Sequence, residues 1–318
     1  MKVIEKLKRS AVFLFLFSLM MFLFNKIVYF LATVDNLLFH PKEHYYNWQY
    51  GDVFYTKQGN GDALLLIHDL SPSGSACEWN NVIDSLSSTH TVYTLDLLGC
   101  GRSSKPSITY TNYFFVQLID DFIKNVICNP VDLVVSGSSS EIGIMASRND
   151  DTMLRKLILI NPKDLVSSTK IPTIFSKIKK HIICCPIIGT FIYNILSSQK
   201  VLEKQFMLHY FYNPADISQL YIRTCYESSH TNNNRGKYLY ASIVGRYTTV
   251  STLQALEDSN TPIFILIGSC DPLYRLIADQ YVTYNSSVEI LTIENAKFLP
   301  QIENPAEFTS IIDILCEG

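Results

Sequence analysis

Leu95-Asp96-Leu97-Leu98-Gly99-Cys100-Gly101-Arg102-Ser103, with Pro106 shortly beyond, reads as a strand that ends in an aspartate and breaks into a tight turn built on two glycines one residue apart. Before it, the apolar run Ala63 to His68 follows the Gly59-Asn60-Gly61-Asp62 turn; after it, Val131 to Ser136 runs into Gly137-Ser138-Ser139-Ser140-Glu141. Short, continuous apolar runs of this kind suit strands of a parallel sheet covered on both faces. Further strands are expected over Gly51 to Lys57, Lys156 to Ile160, Ile263 to Ile267 and Val288 to Ile293. Helices are expected over about Trp79 to Ser87, Tyr113 to Cys128 and Pro305 to Cys316. The alternation predicts an α/β fold, a doubly wound and mostly parallel sheet.

The 318 residues, 47% apolar and 17% charged, are ample for one large domain with an inserted subdomain and exclude a disordered chain. With 26 basic against 29 acidic residues, and no Lys/Arg stripe beside an aromatic platform, nucleic acid is not an expected partner. The eight cysteines are scattered singly apart from Cys184-Cys185, without the paired spacing of a zinc site. Neither a metal nor a cofactor is expected, and the sequence names no protein partner.

Lys2, Lys6, Lys8 and Arg9 precede an apolar run from Ala11 to Phe24 that Asn25-Lys26 interrupts and Ile27 to Val34 resumes. As one helix the whole run spans roughly 35 Å at ~1.5 Å per residue, enough to cross a bilayer. A cleaved signal peptide fits less well, because the small-residue pattern near Ala32-Thr33-Val34 is poor; a helix outside the membrane, with Lys26 snorkelling, is the other alternative. The excess positive charge places the N-terminus in the cytoplasm and the folded domain on the far side. The expected organisation is a membrane segment over residues 1–34, a tether over 35–47, a core in two parts over 48–160 and 257–318, and a helical insertion over 161–256.

Four blocks in order, the stretch quoted first together with Leu64 to Asp69, Gly137 to Glu141 and Gly268-Ser269-Cys270-Asp271-Pro272, resemble the α/β-hydrolase family from about Tyr50 to the C-terminus. The resemblance implies an α/β-hydrolase fold in which residues 161–256 form a helical cap over a substrate pocket. It also implies a nucleophile elbow at Gly137 to Glu141 with Ser139 as the serine. Asp271 matches the acid of a catalytic triad, and His68, Asp69, Leu70 and Ser140 fall where the family builds its oxyanion site.

A fifth block, Asn295-Ala296-Lys297-Phe298-Leu299-Pro300, resembles the family's last catalytic segment, with Phe298 at the position of the histidine. Phenylalanine cannot take a proton, so a serine facing it has no base. Two further departures put acids where the family keeps glycine, at Asp69 and Glu141; if both point inward they oppose a developing oxyanion. His68 reads more simply as a hydrogen-bonded histidine at a strand end. The expected function is therefore that of a membrane-anchored, hydrolase-like protein with little or no catalysis, binding a small lipophilic ligand under its cap. The alternative is a working serine hydrolase of the esterase or lipase kind, acting on a small acyl ester with a base relocated to Glu141, His181, His209 or His230.

Overall fold

The computed structural model describes residues 2–39, 41, 44–149 and 152–316. Eight strands form one sheet: β1 (His44–Trp48), β2 (Gly51–Gln58), β3 (Asp62–Ile67), β4 (His90–Leu95), β5 (Val131–Ser136), β6 (Leu154–Ile160), β7 (Ile263–Gly268) and β8 (Glu289–Ile293). Their order in space is β1-β2-β4-β3-β5-β6-β7-β8. β1 and β2 pair antiparallel at one edge, β2 runs antiparallel to β4, and β4 through β8 are parallel. The fold is the doubly wound α/β-hydrolase arrangement.

The continuous apolar strands work because successive side chains alternate between two covered faces. Leu65, Ile67, Leu133, Val135, Leu157 and Leu159 enter the core built with Phe115, Phe122 and Tyr281 on one side of the sheet. Their neighbours Leu64, Leu66, Val134, Ile158 and Ile160 pack with Trp79, Phe308 and Ile312 on the other. β1 is an addition to the sequence reading, which left residues 44–47 in the tether. His44–Trp48 pairs residue for residue with the start of β2 through a tight reversal at Gln49 and Tyr50. That pairing depends on the partner strand rather than on any apolar alternation of its own.

Between β6 and β7 the chain leaves the sheet and forms helices, among them Ile174–Cys184, Ile188–Leu196, Gln219–Asn234 and Lys237–Val244. Thr173 and Ser176 close the first of these with reciprocal side-chain bonds to each other's backbone N–H. Against this insertion lies the helix Lys2–Thr33, 32 residues long and unbroken at Asn25-Lys26. It is long and apolar enough to cross a membrane over Val3–Thr33. Its residues 3 to 17 are exposed all round, whereas Met21, Asn25 and Ala32, spaced for one helical face, are buried.

The polar pair that interrupts the apolar run is the docking point. Asn25 donates to the Ile187 carbonyl at 3.0 Å, and Asn194 and Asn234 donate to its side-chain and main-chain oxygens. Phe24 meets Phe191 edge to face at 5.1 Å. The connector that follows is pinned as well: Asp35 pairs with Arg223, and the Leu37 N–H donates to Glu227 at 2.6 Å.

Candidate functional site

The loop after β4 is a frame rather than a reactive centre. The Asp96 carboxylate accepts from the Arg102 side chain at 2.7 Å, the Arg102 N–H at 2.8 Å and the Ala76 N–H at 2.6 Å. Burial alone would raise its pKa, but the Arg102 guanidinium overrides burial and holds it below the ordinary value. Gly101 is required here, because with φ +45° a Cβ would fall 2.2 Å from the Asp96 carboxylate. Ser103 completes the frame by donating to the Asp96 carbonyl and accepting the Phe54 N–H.

His68 ends β3 fully buried, with Nδ1 2.8 Å from the Asp69 carbonyl and Nε2 accepting the Leu97 N–H at 3.1 Å. Both ring nitrogens are thus used within the frame. Burial lowers its pKa, which keeps the imidazole neutral.

The sharp turn from β5 into the helix Ser140–Asn149 has its left-handed residue at Gly137, φ +53°, two positions before the serine expected at its apex. Ser139 lies beyond the turn, fully buried, and its hydroxyl donates to the His68 carbonyl at 2.6 Å. Among the described residues no imidazole or carboxylate is hydrogen-bonded to that hydroxyl. A side chain at Gly137 would point elsewhere: its Cβ would stand 2.5 Å from Asp69 Oδ1 and 2.7 Å from the tip of the Phe298 ring. The turn therefore faces an acid and an aromatic ring through its glycine; the Ser138 side chain also bonds that acid, while Ser139 turns to the His68 carbonyl.

Asp69 points into this corner. It accepts the Ser138 N–H, the first amide after the turn, at 2.7 Å. Burial raises its pKa, while hydrogen bonds from Ser138 and the Leu70 N–H act in the opposite sense. Glu141 does not join it. It sits in the first turn of the helix, paired with Lys163 at 3.0 Å and accepting from the Ser168 hydroxyl. Of the two acids, only Asp69 faces the turn. Ser140, also buried, accepts the Lys163 N–H at its hydroxyl, which is also bonded to the Tyr281 side chain, and Leu70 is a buried apolar residue.

Phe298 is held on three sides. Its ring meets Tyr210 of the insertion edge to face at 4.6 Å and Tyr274 at 6.0 Å. Its N–H donates to the Tyr210 carbonyl, and its carbonyl accepts from Asn161 at 2.9 Å. Asp271 lies at the start of the helix Pro272–Tyr284, where it accepts the Leu273 N–H at 3.0 Å as an N-cap. Of the histidines in the insertion, His181 and His209 are exposed. His230 is buried against Tyr226 and Tyr193, and burial lowers it to about 4.

Two residues carry this corner that the motifs did not single out. Glu78 is buried behind Asp69, accepting its N–H at 3.1 Å and the Gln301 side chain at 2.7 Å, and burial pushes its pKa up to about 8. Asn161 straps the ends of β6 and β7 to the Phe298 loop through both of its side-chain atoms. Neither has a motif to announce it, since each acts through partners distant in the chain. Surface cavities of about 240–460 Å³ lie elsewhere among the described residues, with linings that do not include Asp69, Gly137, Ser139, Asp271 or Phe298.

Among proteins of known activity, the chain is 30% identical over 115 residues to 2-hydroxy-6-oxo-6-(2'-aminophenyl)hexa-2,4-dienoic acid hydrolase of Metapseudomonas resinovorans, covering 35% of this chain and 39% of that enzyme. It is 27% identical over 125 residues to cis-3-alkyl-4-alkyloxetan-2-one decarboxylase of Shewanella oneidensis, 38% of either chain. The matches span well under half the length of these relatives. Among solved structures, a serine hydrolase involved in carbazole degradation superposes with a TM-score of 0.69 at 18% identity, over 87% of this chain and 99% of its own. A membrane phospholipase A does so at 0.67 and 17% identity, over 97% of this chain and 98% of its own. At these identities the superpositions speak for the fold. The frame at Asp96, the turn at Gly137 and the loop at Phe298 lie within residues 64–311, which match the model of the alpha/beta hydrolase family, and to that family this chain belongs.

Proposed function

We propose that this is a non-catalytic, membrane-anchored member of its family, with the reacting centre filled by its own side chains. Gly137 takes the place of the nucleophile, since it occupies the left-handed apex where an elbow displays its serine. Phe298 stands in for the base, and the Asp69 carboxylate lies where an oxyanion would form, on the Ser138 N–H. The single observation carrying this reading is that a Cβ on Gly137 would run into Asp69 and Phe298 together.

Three losses at one point cost more than a missing base. There is no hydroxyl at the apex to activate, no imidazole to take its proton, and a carboxylate in place of the developing negative charge. Asp271, without an imidazole to orient, serves as a helix cap. The relocated-base alternative finds no support: Ser139 bonds a carbonyl, Glu141 is paired with Lys163, and the histidines of the insertion bond their own helices or lie exposed.

The insertion is read as a cap in the closed state. Tyr210 and Phe298 pack across the space in which a lipophilic ligand was expected, which favours a sealed interior over a ligand-binding one. The helix Lys2–Thr33 is read as a retained anchor with a cytoplasmic N-terminus and the folded domain on the opposite side. The test of the catalytic reading is labelling of the full chain with a serine-directed fluorophosphonate. No labelling is expected; rapid labelling that Ser139→Ala abolishes would restore the hydrolase reading.

A further inference from the structure

The point where the N-terminal helix docks on the insertion encloses a cavity of about 330 Å³. Three cations line it, Lys26, Arg235 and Lys237, and no aspartate or glutamate does. None of the three forms an ion pair with a carboxylate among the described residues. Lys26 donates to the Asn233 side chain at 3.1 Å. Arg235 donates to the Lys105 carbonyl and the Ser107 hydroxyl, and Lys237 to the Cys185 carbonyl at 3.1 Å and the Thr190 hydroxyl at 3.0 Å.

Lys237 is only 5% exposed. A buried ammonium held by neutral acceptors alone is an uncompensated positive charge, and its pKa is lowered chiefly by that burial. The buried Lys237 and the exposed Lys26 and Arg235, gathered around one space, form a site for an anion. Asn234, 2% exposed, adds a side-chain oxygen with no donor, at the same wall. Asn232, Asn233 and Asn234 all take left-handed backbone, φ 55°, 58° and 62°, a costly run that brings Asn233 to Lys26 and Asn234 to Asn25.

The position along the helix says which anion. Residues 3 to 17 are exposed on every side, and the first buried positions are Met21 and Asn25. At ~1.5 Å per residue the apolar segment from Ala11 to Phe24 spans roughly 21 Å, and Lys6, Lys8 and Arg9 ahead of it can snorkel to the opposite headgroup layer of a locally thinned bilayer. Asn25 and Lys26 then fall at the headgroup layer. Phe22, Pro186 and Ile187 give the cavity an apolar wall on that side. The helix Ile174–Cys184, which leads into Pro186, turns Ile174, Ile178 and Ile182 outward with Lys177 and Lys179 on either flank, a surface that suits the same interface.

We infer that this cavity binds the phosphate of a membrane phospholipid headgroup, held by Lys26, Arg235 and Lys237 at the boundary where the N-terminal helix leaves the bilayer. A headgroup carrying a hydroxyl, such as phosphatidylglycerol, also supplies the donor that Asn234 lacks. The inference rests on the reading of Lys2–Thr33 as a membrane anchor.

The test uses the full chain in detergent, titrated with dioctanoyl phosphatidylglycerol, dioctanoyl phosphatidylcholine or glycerol 3-phosphate, with the unfolding temperature as readout. Phosphatidylglycerol is expected to raise it saturably and more than phosphatidylcholine. Lys26→Gln, at an exposed position that does not endanger folding, is expected to weaken the apparent affinity about tenfold, and Arg235→Gln by a similar factor. An equal shift with glycerol 3-phosphate would make the ligand a soluble phosphate and overturn the lipid assignment. No shift with either compound, or one that survives the Lys26→Gln/Arg235→Gln double variant, would overturn the site. A chain that alkaline carbonate frees from membranes would remove the anchor reading, and the headgroup assignment with it. A chain that stays in the membrane but ignores the headgroup would defeat this inference alone.

Discussion

Gly137 is the residue on which the chemistry turns. Its φ of +53° is one that a serine adopts only under strain, and its missing side chain is what lets Asp69 and Phe298 close on the turn. Gly137→Ser alone is therefore expected to destabilise the fold by about 1–3 kcal/mol and to yield no activity, measured by thermal unfolding and ester hydrolysis. Combining it with Asp69→Gly and Phe298→His removes both clashes and places an imidazole beside the new hydroxyl. The triple variant is expected to recover part of the lost stability and to label with fluorophosphonate, whereas Phe298→His alone is not. A single Phe298→His that labels at Ser139 would refute the assignment of Gly137 to the apex. Glu78 offers a second test at this scale. Burial raises it from 4.5 to about 8, so the folded state holds a proton that the unfolded chain gives up at lower pH. Its contribution to stability is full below pH 4.5 and is lost as pH rises toward 8. Glu78→Gln is expected to flatten the dependence of melting temperature on pH within that window. Gln301 can turn its unpaired side-chain oxygen toward the new amide.

At the scale of elements, the N-terminal helix is two devices in one length. Its first half, residues 3 to 17, is exposed on every side, and its second half is bound to the insertion through a buried asparagine. Asn25 joins three partners on two helices and a loop, so loss of its side chain strands the Asn194 amide and the Ile187 carbonyl, while the Asn234 amide keeps its bond to the main-chain carbonyl. Asn25→Ala is expected to cost about 1–3 kcal/mol, seen as a lower unfolding midpoint of the detergent-solubilised chain and faster proteolysis of the connector after Thr33. A wild-type midpoint in this variant would mean that Met21 and Ala32 alone hold the helix. The edge strand β1 makes a related point. It stands in the sheet because β2 offers it a ladder, and nothing in its own pattern of apolar residues demanded one.

For the molecule as a whole, the same 32-residue helix is long and apolar enough to cross a membrane and is docked on the insertion, so on the proposed anchor reading it orients the entire domain against the bilayer. Full-length protein is expected to stay with membranes through high salt and alkaline carbonate; release by salt alone would count against the anchor. Most of the sheet was legible in the sequence, because a strand buried on both faces must be apolar nearly throughout and the runs that obey this, from Ala63 to Ile67 and from Leu133 to Val135, have few other uses. The frame at Asp96 to Ser103 was equally legible, its glycines demanded by local backbone and by a carboxylate packed against them. The departure at Phe298 from the family's pattern is read from the sequence in the same way, as one position in an ordered set of blocks, and the proposed loss of catalysis builds on it. The place of the turn's apex was not: three consecutive serines after a glycine offer the same chemistry at each step, and only the backbone dihedral distinguishes the residue at the turn from those beyond it. The direction of Asp69, the retreat of Glu141 to Lys163 and the docking role of Asn25 were hidden likewise. Each is settled by a partner far away in the chain, and such a pairing exists only once the fold has brought the two together.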